Sequence, residues 1–233
     1  MSKRVLDQPR EVIERWIRFK TSHHASRLAR RVMRVYLPVK ERKRKRALVD
    51  ALKAVRAQAL KLERSPYQAS YMLNNIALYF LLAERDISSL KVDALTHPDS
   101  WYRGLALRVM LLTLYEFDLG DVAGKKLKPS LDKAEVPEKL QKRLFSAMRK
   151  ARKAQKGAKK TLGDVRNSVT AHRDPDALHQ YRLIMGLNEK EAMCLVASFY
   201  DSSRDFVDVV PDVMLYTGSV PSLFRQMLNG DTT

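Results

Sequence analysis

The chain has 233 residues, 45% of them hydrophobic, and a formal net charge of +18. That length supports one domain with a real core, alone or with an extension, and 8 glycines and 9 prolines are too few for a disordered or fibrous chain. The single cysteine, Cys194, excludes an internal disulfide and a cysteine-rich metal site.

Charge is concentrated in two blocks. Residues 1–64 carry 20 Lys and Arg against 6 Asp and Glu, and residues 139–160 carry 10 basic residues and no acidic one. The rest of the chain is therefore net acidic. Such blocks either keep a helix face solvated or gather a polyanion, binding phosphate backbones without reading sequence. RNA is the partner expected, with an acidic protein as the alternative. No apolar stretch approaches the roughly 20 residues of a membrane span, and the N-terminus lacks the apolar run of a signal peptide. A reducing cytoplasm is the expected setting.

In chain order, Asp7-Gln8-Pro9 opens a helix that runs to about Tyr36, where Pro38 is expected to break it. A second helix, Val39 to Glu63, begins with a basic run containing Lys40, Arg42, Lys43, Arg44, Lys45 and Arg46. Leu48, Leu52, Val55, Ala59 and Leu62 then recur at three- and four-residue spacing, an amphipathic stripe. Ser65-Pro66 starts a third helix to about Asp86, apolar nearly all round and so expected at the centre of the core. Its polar exceptions, Asn74, Asn75 and Glu84, are read as hydrogen-bonded core groups.

His97-Pro98-Asp99-Ser100 is a turn and cap before another apolar helix, Trp101 to Asp118. Glu116 at its end is either exposed or paired with an arginine such as Arg166, which it would then orient. Gly120 to Lys133 reads as loop, and Pro137 opens a basic helix to Gln155 carrying Arg149, Lys150, Arg152 and Lys153. A break is expected at Lys156-Gly157, followed by a short helix from Leu162 to Arg173. Further helices span Asp176 to Met185 and Glu189 to Val209, the second started by Asn188 and Glu191. Cys194 lies on the apolar face of the latter, where a small core residue is expected. The organisation expected is a basic helical region over 1–64, a helical core over 65–210 and a tail over 211–233 bracketed by Pro211 and Pro221.

One stretch carries chemistry: Asp164-Val165-Arg166-Asn167-Ser168-Val169-Thr170-Ala171-His172-Arg173-Asp174. Arginine stays cationic and binds phosphate oxygens two at a time. Histidine exchanges protons near neutral pH. Six residues of helix turn Arg166 and His172 about 120° apart with a rise of about 9 Å, so they do not stack on one face. Asp174 caps the helix or orients an imidazole, with capping the plainer role. His23, His24, His97 and His179 have no partner at ligand spacing, so neither metal nor other cofactor is expected.

The Arg-Asn-x(4)-His pattern and the Ala-His-x-Asp continuation resemble the HEPN superfamily, in particular its AbiU2-type bacterial branch, over about Leu162 to Phe199. The resemblance implies an all-α helical bundle of the HEPN type, here with a basic N-terminal helical extension. It also implies a metal-independent endoribonuclease in which Arg166 stabilises transition-state charge, His172 moves the proton and Asn167 positions, with Asp174 and Glu116 in support. A homodimer would join two copies of the motif in one cleft. RNA, tRNA included, would be the substrate, and the cellular role that of a toxin or phage-defence effector with an antitoxin or defence-system partner. The alternative is the same bundle without catalysis, holding nucleic acid or a partner protein.

Overall fold

The computed structural model describes residues 10–167 and 175–228, with side chains from residue 25 onward. These residues form nine helices and no strand: α1 (Arg10–Leu62), α2 (Gln68–Thr96), α3 (Ser100–Tyr115), α4 (Leu119–Ala123), α5 (Leu127–Lys133), α6 (Glu138–Val165), α7 (Ala177–Gly186), α8 (Glu189–Thr217) and α9 (Val220–Leu228). The protein is an all-α helical bundle.

The packing follows the apolar faces. α2, α3, α6 and α8 close a ring, α2 on α3, α3 on α6, α6 on α8 and α8 back on α2, and α1 lies along α2. Phe80, Phe117, Phe199 and Phe206 meet in the middle, with Phe80 stacked on Phe206 at 4.1 Å and edge-on to Phe117 at 5.0 Å. All four rings are buried, and each contributes about 2–3 kcal/mol by leaving water.

Three helix breaks expected from the sequence are absent. Pro38 lies inside α1 and Pro211 inside α8. Both prolines, and Arg34 and Val207 four residues before them, are exposed, so the missing hydrogen bond falls on the outer side of each helix, where it costs less than a buried interruption. Gly157 lies inside α6 rather than between two helices. A Cβ there would come 2.3 Å from Leu195 Cδ2, so this glycine marks the close approach of α6 and α8. The stretch read as loop forms α4 and α5. Asp118 caps α4 by accepting from the Gly120 N–H, and Gly124, at φ 58°, ends it. Cys194, expected in the core, is exposed.

The starts marked by polar caps lie where the sequence put them. Asp99 accepts from the Trp101 N–H and Asn188 from Lys190 and Glu191, while Asp176, expected as the first residue of its helix, caps it by accepting from Leu178 and His179. Ser65 instead closes α1, donating to the Leu62 carbonyl, and α2 starts three residues later. The C-terminal segment is pinned to the bundle through buried Gln226, which accepts from the Ser70 N–H at 3.3 Å and donates to the Thr217 carbonyl at 2.8 Å. Among the described residues no helix is long and apolar enough to cross a membrane.

Candidate functional site

α6 has one face on the bundle and one in water. Leu144, Ala147, Ala151, Ala154, Ala158, Leu162 and Val165 are buried. At about 100° per residue, Arg149, Lys153, Lys156, Lys160 and Asn167 fall within about 40° of one line on the opposite side, with Arg152 alongside. All six are exposed, and none of the five cations has an ion-pair partner among the described residues. Lys150 is different, because it is tied to Asp205.

At the end of this track the helical backbone continues past Val165 in wider π-type turns at Arg166 and Asn167, a local geometry frequent at functional sites. The Arg166 guanidinium is 3.3 Å from Glu116 Oε1 and donates through Nη1 to Asn167 Oδ1 at 3.3 Å. It also stands over the Tyr115 ring, 5.3 Å from the centroid, as Lys159 does at 5.8 Å. The pairing of Glu116 with Arg166 considered from the sequence is therefore present in the fold. A guanidinium has five N–H donors, so donors remain for an incoming oxyanion.

The turn that presents Tyr115 and Glu116 is held from below. The Tyr79 hydroxyl donates to the Glu116 carbonyl at 3.0 Å and accepts from the Asp118 N–H at 2.9 Å, and its ring stacks on Phe117 at 4.7 Å. Asp118 then faces Gln155 and Lys159 on α6, at 3.4 and 3.6 Å. The Gly120 backbone N–H, the Gln155 amide and the Lys159 charge hold its carboxyl below the ordinary value, against a smaller desolvation effect. Tyr79, Tyr115 and Lys159, and the contacts of Asp118 with Gln155 and Lys159, carried no signal in the sequence, because the paired residues lie 37 or more positions apart along the chain. His172 and Asp174 lie outside the described residues.

The N-terminal basic run divides in two. Lys40, Arg42, Lys43 and Arg46 are exposed and Lys45 is half-buried. Arg42, Lys45 and Arg46 join Arg85, Pro38, Val49 and Asp50 around a groove of about 580 Å³. Arg44 turns inward. It binds Glu84 Oε1 at 2.6 Å and stacks over Tyr200 at 4.8 Å, while Ser203 donates to the other oxygen of Glu84 at 2.6 Å. Lys91 pairs with Glu41 at 2.8 Å and flanks the same ring at 5.3 Å. Burial holds the Tyr200 phenol well above its ordinary pKa. This cluster bolts α1 to α2 and α8.

The arginines within α3 are structural as well. Arg103 donates to the His97 and Pro98 carbonyls, closing the end of α2, and Arg108 lies 5.4 Å from the Trp101 ring. Desolvation lowers the pKa of both. Among the described residues no three His, Cys, Asp or Glu side chains are grouped to hold a metal. The chain matches no family model, no curated protein and no solved structure.

Proposed function

We propose that the protein binds RNA along the outer face of α6 and cuts it, without a metal, at the end of that helix. One observation carries this reading: five cations with no ion-pair partner among the described residues share the outer face with Asn167, and Arg166 beside them is held by Glu116 and Tyr115. In the proposed reaction His172 takes the proton from a ribose 2′-hydroxyl, whose oxygen attacks the adjacent phosphorus. Arg166 offsets the charge that grows on the phosphorane oxygens. The 5′-oxygen leaves with a proton from an imidazolium, giving a 2′,3′-cyclic phosphate and a 5′-hydroxyl. The resemblance to HEPN proteins supplies the role of His172 and implies a homodimer that joins two such motifs, with an antitoxin or defence-system partner, and the single cysteine suits a cytoplasmic setting.

A second reading, RNA binding without cleavage, is favoured by the carboxylate of Glu116, which opposes a phosphate approaching Arg166. Incubation of total RNA and tRNA with the protein in EDTA, beside Arg166→Ala and His172→Ala, separates the two. Discrete cuts lost in both variants support the nuclease; equal RNA binding by all three proteins with no cuts supports the binding module.

A further inference from the structure

α1 has a second face that the bundle leaves uncovered. Leu37, Glu41 and Leu48 are buried against the bundle. Leu28, Val32, Val35 and Val39 lie about 180° around the helix from them, and each keeps between 60% and 75% of its surface in water. Their spacing, four then three then four, is that of a coiled-coil seam. Four aligned aliphatic side chains at such exposure are a docking surface rather than scattered surface residues. Arg31 and Tyr36 border the seam about 70° to either side, and Arg27, Arg34 and Lys40 lie further round, beyond about 100°, with no acidic residue anywhere from Arg15 to Lys40.

We infer that this seam of α1 receives an amphipathic helix with acidic flanks from a partner protein. The charge decides among occupants. A second copy of α1, parallel or antiparallel, would bring two basic helices together with no carboxylate from Arg15 to Lys40 on either to offset them, and like charges repel across such a contact. RNA would satisfy the arginines but would leave the valines in water. An acidic helix does both, burying the aliphatic line while its carboxylates meet the arginines. The inference is independent of the nuclease reading, since the seam includes neither α6 nor Arg166.

The test uses the full chain and a synthetic three-heptad helical peptide with Leu at the seam positions and Glu beside them, followed by fluorescence anisotropy. The acidic peptide should bind and weaken as salt rises, the same peptide with Lys for Glu should not bind, and Val32→Ser/Val35→Ser should weaken binding at least tenfold. Both substituted positions are exposed, so the variant folds, which circular dichroism checks. Equal binding of the Lys peptide, no binding of the acidic peptide by the wild type, or a dimer in sedimentation equilibrium that Val32→Ser/Val35→Ser dissociates would overturn the inference. Loss of RNA binding in the same variant would assign the face to nucleic acid instead.

Discussion

Removing either partner of the Arg44–Glu84 pair should destabilise the protein, and the more exposed partner should cost more. Glu84 is buried, with 9% of its side chain exposed against 46% for Arg44. Glu84→Ala strands the Ser203 hydroxyl, which is 1% exposed, at about 1–2 kcal/mol. The Arg44 guanidinium then reaches water, so its lost pairing adds only about 1 kcal/mol. The expected loss is about 2–3 kcal/mol, or about 4–12 °C in Tm for a chain of this size. Arg44→Ala leaves a carboxylate in the core with only a serine to meet it, and about 3–4 kcal/mol is expected. Glu84→Gln keeps the volume and an acceptor for Ser203 and should cost least. Urea unfolding at constant m-value measures all three. If Glu84→Ala costs more than Arg44→Ala, or either costs under about 0.5 kcal/mol, the pair is not the bolt described here.

Other expectations concern α6 and its end. Replacing Arg149, Lys153, Lys156 and Lys160 by Ala should flatten the dependence of log affinity on log salt for single-stranded RNA by about 3, near 0.7 per lost phosphate contact; anisotropy across a salt series reads this. Glu116→Gln should leave stability within about 0.5 kcal/mol, both partners being partly exposed, yet slow RNA cleavage several-fold because Arg166 loses its fixed orientation. Tyr79→Phe should cost about 1–2 kcal/mol in a urea titration, since it removes both the donor to Glu116 and the acceptor for Asp118. Asp118 has a depressed carboxyl pKa, so its stabilising contribution is present above the unfolded value near 4 and is lost as pH falls through the lower folded value. The stability gap between wild type and Asp118→Asn should therefore be constant above about pH 5 and shrink in acid; a gap that widened in acid would reverse the assigned direction.

Local signals in the sequence were read most securely. The polar caps at Asp99 and Asn188 marked helix starts because a short side chain there meets N–H groups two or three residues on. The central place of α2 was visible in its continuous apolar surface. Pro38, Pro211 and Gly157 misled because their effect depends on surroundings: an exposed proline interrupts a long packed helix cheaply, and a glycine can serve the neighbouring helix rather than a turn. The run Lys40 to Arg46 looked uniform, yet Arg44 differs from its neighbours through Glu84, 40 residues away. The exposure of Cys194 was likewise invisible to periodicity, since the apolar face of α8 is wider than the face that packs. At the candidate site the Arg166–Asn167 contact was adjacent in sequence, whereas the Tyr79-braced turn beneath it is wholly long-range.

The most direct measurement is the chemistry of the RNA ends left by the purified protein in EDTA. A 2′-hydroxyl attack with Arg166 and His172 as the reacting groups predicts a 2′,3′-cyclic phosphate on one fragment and a 5′-hydroxyl on the other, with neither formed by Arg166→Ala or His172→Ala. Fragments ending in a 3′-hydroxyl and a 5′-phosphate, or cuts that survive in either variant, would contradict it.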